Sequence, residues 1–90
     1  MSKEVELEYP IKVDGKEVST LTMRRPVVAD MLAQEKSKGS DAEKEIRMFA
    51  NLCEVPPDAI HSMDMADYLE LQEAYQGFLS GARKTAGKAS

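Results

Sequence analysis

Cysteine, histidine and tryptophan are scarce in this chain of 90 residues, and their scarcity excludes several kinds of site. Cys53 is the only cysteine, His61 is the only histidine, and there is no tryptophan. A single cysteine excludes an internal disulfide, which fits a reducing compartment. Structural zinc sites draw their ligands from several cysteine and histidine side chains, so no zinc site is expected.

Membrane, catalytic and cofactor motifs are missing as well. No apolar run approaches the roughly 18 residues of a spanning helix, and the N-terminal residues lack the apolar segment of a signal peptide. There is no glycine-rich phosphate loop, and no feature orients a nucleophile toward His61. Asp58, Asp64 and Asp67 lack the spacing of a calcium loop. We therefore predict a cytoplasmic, non-enzymatic protein without a metal or a cofactor.

The acidic charge is concentrated in one part of the chain. The formal net charge is −4, which argues against general nucleic-acid binding. Residues 1–25 carry five acidic and five basic side chains, whereas residues 55–79 carry five acidic side chains and no lysine or arginine. The six methionines are flexible apolar side chains. They suit a surface that adapts to a partner, and they equally suit the filling of a small core.

The N-terminal stretch predicts a β-hairpin over residues 4–24. Apolar and polar residues alternate from Glu4 to Val13, which is the pattern of a half-buried strand. Asp14-Gly15 indicates a two-residue type I′ turn, because both central positions of that turn need a positive φ. After the second strand, Pro26 is placed well for the start of a helix.

The apolar residues of the second strand do not share one face. A two-residue turn pairs Ile11 with Val18 and then places Leu21 and Met23 on the opposite side, because side chains alternate along a strand. A bulge near Ser19-Thr20 would bring all of these residues into the core, and we prefer it. A three-residue turn with its own bulge, or a partner that covers the second face, would also explain the pattern.

Three helices are predicted after the hairpin, over about residues 27–38, 41–54 and 65–82. Gly39 ends the first helix. Ser40 and Glu43 form a capping box at the start of the second, and Asp64 caps the third. Pro57 to Ile60 indicates a single additional helical turn.

The apolar rows of the first and last helices differ in width. The first helix has a narrow stripe, made by Val28, Met31 and Leu32. The last helix has a main stripe and a second row, and together they are wider than one neighbouring helix needs. The second row consists of Met65, Leu69 and Leu79. Packing on two elements would explain this width, and so would a surface for a partner or a further copy of the chain.

These elements predict one α+β domain, in which an N-terminal β-hairpin packs against three α-helices. The domain covers residues 1–84, a length typical of a single small domain. Residues 85–90 are rich in small and basic residues, so we predict that they form a disordered tail.

Two segments resemble a known protein family. The hairpin sequence Ile11-Lys-Val-Asp-Gly-Lys-Glu-Val18, then Leu21-Thr-Met-Arg-Arg-Pro26 and Asp30, is similar to the opening of the tail-assembly chaperones of Mu-like and P2-like contractile-tailed bacteriophages. The later stretch from Ile60 to Leu69 is also similar. The resemblance covers roughly residues 7–80.

The resemblance implies a non-enzymatic role in building a phage tail. Members of this family are small proteins that hold the long, helical tape-measure protein while tail-tube subunits polymerise around it. It implies a location in the cytoplasm of the bacterial host and absence from the mature virion. Tail-tube subunits and further copies of the chain are additional candidate partners. From the residues alone, the alternative is a generic protein-interaction module or a subunit of a homo-oligomer.

A candidate partner-binding surface follows from the hairpin and the last helix. We expect the client groove to lie between these two elements, with a contact set formed by Leu21, Met23, Arg24, Arg25 and Met65. The arginine pair would contact a carboxylate of the partner. The alternative is that the two arginines form salt bridges back to Glu4 or Glu6 and have no partner.

Overall fold

Asp14 and Gly15 close the N-terminal hairpin as the sequence predicted. The computed structural model describes the backbone of residues 2–88 and the side chains of residues 2–80. Strand β1 spans Ser2–Val13 and strand β2 spans Lys16–Arg24, and the two pair in antiparallel fashion. Asp14 and Gly15 have φ values of 52° and 80°, so the turn has two residues of positive φ. This geometry excludes the three-residue turn.

The register of the hairpin shifts in the middle, but the extra residues lie in β1 rather than in β2. Ile11 pairs with Val18, and the next regular pair is Glu6 with Thr20, so residues 7–10 oppose Ser19 alone. The prediction of a bulge at Ser19-Thr20 was therefore wrong about the strand that bulges. It was right about the consequence, because the shift changes the phase of β2 and turns its later apolar residues inward.

Asp67 explains why the irregular segment of β1 is stable. The backbone N–H groups of Glu8 and Tyr9 donate to the two carboxylate oxygens of Asp67, each at 3.0 Å. The next residue, Pro10, has no N–H group to satisfy. Asp67 is only 3% exposed. Its carboxylate thus supplies the acceptors that a neighbouring strand would normally provide for these two N–H groups.

The helical part contains four helices. Helix α1 spans Val28–Lys36, α2 spans Asp41–Cys53, α3 spans Pro57–His61 and α4 spans Met65–Lys88. The predicted three helices are present, and α3 is the additional turn after the proline pair. The capping box of α2 is also present, since Glu43 N–H donates to Ser40 Oγ and Ser40 N–H donates to Glu43 Oε1. Asp64 caps α4 through a bond from Ala66 N–H at 2.9 Å.

Helix α4 continues past the predicted end at residue 82. The alanine, lysine and arginine residues of this segment favour a helix, which explains the longer extent. Residues 89 and 90 lie outside the described residues. Disorder of residues 85–90 stays a prediction.

The core lies between one face of the hairpin and the helices α2, α3 and α4. Phe49 of α2 is fully buried and contacts the rings of Tyr68 and Tyr75 of α4, with ring centroids 5.7 and 5.5 Å apart. Tilted pairs of this kind are favourable arrangements for aromatic rings. The fold is thus α+β, as the sequence predicted, and α1 contributes almost nothing apolar to its core.

Candidate protein-binding surfaces

Arg24 and Asp30 form a partly buried ionic node that joins the end of β2 to the start of α1. The Arg24 guanidinium donates two parallel hydrogen bonds to the Asp30 carboxylate, at 2.9 and 2.8 Å. Val27 N–H donates to the same carboxylate at 2.8 Å, and Asn51 Nδ2 of α2 donates at 3.3 Å. Asp30 is 6% exposed, so these four donors replace the water that it would otherwise bind.

The electrostatics of this node favour a permanently charged pair. The hydrogen bond from Arg24 lowers the pKa of Asp30 below its usual value and outweighs the opposing effect of burial. The same bond holds the pKa of Arg24 above its usual value. The two groups therefore remain ionised at neutral pH. Both terminal nitrogens of the Arg24 guanidinium already bind Asp30 within the domain.

Helix α1 buries a charged residue and exposes its apolar residues, which is the reverse of an ordinary surface helix. Its one buried residue is the charged Asp30, while its apolar side chains face solvent. Val28 is 69% exposed, Met31 50% and Leu32 51%. These positions are separated by three and four residues, so they lie on one face of the helix. The node around Asp30 fixes α1 to the domain, and the helix leaves an apolar face free.

Helix α4 has two apolar stripes on opposite sides. The first contains Leu71 and Phe78 and lies in the core. The second contains Met65, Leu69 and Leu79, which are 66%, 51% and 49% exposed. Residues follow each other at about 100° around a helix, so Met65, Leu69 and Leu79 fall within about 80° of one another and form a row on one solvent-facing side. Gln72 and Gln76 lie on the same side, between Leu69 and Leu79. We call this row the α4 face, and we call the row of Val28, Met31 and Leu32 the α1 face.

The clefts of the described surface are open and mostly polar. One of them, of about 600 Å³, lies between the hairpin turn and α3 and is lined by Lys12, Asp14 and Asp58 among others. No group of histidine, cysteine, aspartate and glutamate side chains among the described residues could hold a metal ion. Within the same part of the chain, no helix has the length and apolarity needed to cross a bilayer. The α1 face and the α4 face are the candidate protein contacts on this part of the surface.

Comparison with known families agrees with that conclusion. A family model described as phage tail assembly chaperone proteins, E, or 41 or 14, matches residues 4–80. This chain belongs to the phage tail assembly chaperones. Searches of curated proteins and of solved structures returned no significant match. A chaperone family implies protein partners in tail assembly and suggests a role without catalysis.

In the structure of this tail assembly chaperone, some residues proposed for partner binding lie in the core and others lie at the surface. Leu21 and Met23 are 2% and 0% exposed, so they belong to the core and do not line a surface groove. The shift in hairpin register is the physical reason, because it turns both side chains toward the helices. The space between the hairpin and the last helix is therefore filled by the core.

The other three residues have different environments. Arg24 is held by Asp30, and not by Glu4 or Glu6 as the alternative reading had it. Arg25 is exposed, with its guanidinium carbon 5.7 Å from the centroid of the Phe78 ring. Met65 is the most exposed member of the α4 face. Partner binding by Arg25 and Met65 therefore stays a prediction that the geometry permits.

Sequence reasoning did not identify the α1 face. Its spacing was recognised, but an apolar stripe by itself does not say whether it faces the core or the solvent. The residue that decides the orientation of the helix is Asp30, which lies on its opposite side and binds Arg24 and Asn51 of the domain. A single acid near a helix start is usually read as a capping residue, so its burial was not expected.

Proposed function

We propose that this chaperone binds the tape-measure protein while the tail tube assembles, and that the α4 face is the contact for that client. The exposed apolar row on α4 is the observation that carries this proposal. Family membership supports a role in tail assembly. The proposed place of action is the cytoplasm of the bacterial host, and the chaperone is absent from the mature virion.

The shape of the α4 face suits a helical client. Met65 and Leu79 are fourteen positions apart, so the row extends about 21 Å along the helix at 1.5 Å per residue. A row of this length covers about four helical turns, which is long enough for a client helix to pack alongside α4. Methionine at one end adds a flexible side chain that adjusts to different client sequences.

The charges beside the α4 face indicate which client segments would bind. Glu73 is exposed and lines a cleft beside Leu69, and the exposed Asp64 directly precedes Met65. Residues 55–79 contain no lysine or arginine. An acidic border favours client helices that carry basic residues beside their apolar stripe. Arg25 remains our proposed contact for a client carboxylate, since its guanidinium forms no ion pair with the carboxylates of the described residues.

Co-purification with the tape-measure protein tests this proposal. The variant Leu69→Gln/Leu79→Gln removes two apolar side chains of the α4 face and keeps the charge and helix propensity of the chain. We expect it to lose client binding by at least about tenfold, which corresponds to roughly 1.4 kcal/mol. Tyr9→Gln is the matched control, because Tyr9 is 56% exposed but lies on the hairpin.

The control variant is expected to bind the client like the unmodified chain. Equal recovery of the client by the α4 variant would contradict the assignment of this face. Recovery of tail-tube subunits in place of the tape-measure protein would replace the proposed client. Circular dichroism at the assay temperature confirms that each variant is folded before its binding is compared.

A further inference from the structure

A cleft of about 500 Å³ lies between α1 and the start of α2. Helix α1 lines it with Gln34 and Glu35, and α2 lines it with Asp41, Lys44 and Glu45. Three carboxylates thus surround a single lysine, so the charge of this cleft is negative at neutral pH. We call it the acidic cleft.

Glu35 places the acidic cleft beside the α1 face. Because successive residues are about 100° apart around a helix, Glu35 falls between Met31 and Val28 on the surface of α1. All three side chains are exposed. A protein segment that packs on the α1 face therefore meets the carboxylate of Glu35 and the mouth of the acidic cleft.

Glu45 joins the acidic cleft to α4. Its carboxylate accepts hydrogen bonds from the Tyr68 hydroxyl and, at 2.8 Å, from Gln72 Nε2. Gln72 lies on the same side of α4 as the α4 face, between Leu69 and Leu79. The α1 face, the acidic cleft and the α4 face are therefore successive parts of one continuous surface, with α2 in the middle.

The carboxylates of the acidic cleft have no cationic partner among the described residues. None of the three forms an ion pair there, and both hydrogen bonds that Glu45 accepts come from neutral donors. They are thus available to a lysine or arginine of a bound protein. Small-molecule sites are enclosed and mostly apolar, whereas this cleft is open and mostly polar. Its form therefore favours the side chains of a protein partner.

We propose that the acidic cleft and the α1 face form a second contact for the client, continuous with the α4 face. The contact takes a helical client segment that carries a lysine or arginine beside its apolar row. The apolar row packs on Met31 and Leu32, while the basic side chain reaches into the acidic cleft. This inference rests on the proposed function, because the client is the same tape-measure protein.

Two contacts on one client strengthen each other. A client segment that is bound on the α4 face holds the neighbouring part of the same client at a high effective concentration near the acidic cleft. The client is then retained more tightly than by either contact alone. Loss of the second contact should therefore weaken the binding of the client and leave the α4 contact in place.

Charge reversal at Glu35 tests the second contact. Glu35→Lys keeps a helix-favouring residue at an exposed position, and Glu4→Lys on β1 changes the net charge equally and is the matched control. At an ionic strength of about 50 mM, Glu35→Lys should raise the dissociation constant for the tape-measure protein at least about threefold. Salt at about 0.5 M should bring this variant within about twofold of the unmodified chain, because it screens the charges. Glu4→Lys should bind like the unmodified chain.

Crosslinking locates the client directly. Met31→Cys places a thiol on the α1 face, and a thiol-to-amine crosslinker should join it to a lysine of the tape-measure protein, which mass spectrometry identifies. Tyr9→Cys is the control, because Tyr9 is exposed on the hairpin, and it should give at least about tenfold less of this product. The native Cys53 is buried and the pKa of its thiol is raised to about 11, so it reacts slowly.

The second contact and the proposed function fail in distinguishable ways. The second contact is overturned by equal binding of Glu35→Lys and the unmodified chain, by an equal loss in Glu4→Lys, or by a loss that salt does not reduce. Crosslinks from position 31 to a second copy of the chain, and none to the client, would overturn it as well. In each of these cases Leu69→Gln/Leu79→Gln should still lose client binding, which leaves the α4 contact intact. Failure of the unmodified chain to bind the tape-measure protein would instead overturn the proposed function.

Discussion

Replacing Asp67 by asparagine should destabilise the domain far more than the size of the change suggests. The two carboxylate oxygens of Asp67 accept the N–H groups of Glu8 and Tyr9, each at 3.0 Å, and the side chain is 3% exposed. Asparagine offers one oxygen, and its NH₂ group would face the other backbone donor. One charge-assisted bond is lost and one partly buried N–H group remains without an acceptor.

The magnitude follows from these two losses. A hydrogen bond to a charged group contributes about 1.5–3 kcal/mol, and an unsatisfied buried donor costs about 1–3 kcal/mol. Since the two effects overlap at one site, we expect a loss of about 2–4 kcal/mol in the free energy of unfolding. A domain of this size has a total of roughly 5–13 kcal/mol. The melting temperature should therefore fall by roughly 10–25 °C.

Urea unfolding measures this loss, and Asp64→Asn is its matched control. Asp64 receives the same chemical change three residues earlier, but it is exposed and asparagine caps a helix as well as aspartate does. The control should change the free energy of unfolding by less than about 0.5 kcal/mol. Amide hydrogen exchange at Glu8 and Tyr9 should accelerate in Asp67→Asn alone. Equal effects of the two substitutions would refute the role assigned to Asp67.

Two further predictions concern groups whose pKa the fold shifts. Since the folded pKa of Asp30 is depressed by Arg24, this pair stabilises the domain above the ordinary aspartate pKa of about 4, and the stabilisation is lost as the pH falls through the lower, folded value. The stability difference between the unmodified chain and Asp30→Asn, measured by urea unfolding, should therefore shrink below about pH 4 and stay constant above it. Burial raises the pKa of Cys53 to about 11, so a thiol reagent at pH 8 should label the native protein slowly and the urea-unfolded protein fast. Rapid labelling of the native state, or a pH-independent effect of Asp30→Asn, would contradict these assignments.

The features that sequence predicted well depend on neighbouring residues. The turn at Asp14-Gly15 follows from the backbone preferences of two adjacent positions, and the capping box of α2 follows from Ser40 and Glu43. The match to residues 4–80 likewise confirmed the family suggested by the hairpin motif. Such features are encoded locally, so their prediction needs no knowledge of the tertiary structure.

The features that sequence missed depend on contacts between distant positions. Asp67 bonds to backbone groups 59 and 58 positions away, and no local rule connects a helix acid to a particular segment of a strand. Its position in the first turn of α4 already had a sufficient local explanation, the preference for acids near a helix N-terminus. The bulge lies in β1 rather than in β2 for the same reason, because Asp67 supplies acceptors for N–H groups of β1.

Asp30 and Asp67 have one arrangement in common, and it accounts for the exposed apolar faces. Each is the third residue of its helix, each is buried, and each binds the hairpin: Asp30 through Arg24, and Asp67 through the irregular part of β1. In most small domains apolar side chains alone position the helices. Here a carboxylate fixes the start of α1 and another fixes the start of α4. The apolar residues of the α1 face and the α4 face lie outside the core and are exposed, which leaves them available to bind a partner.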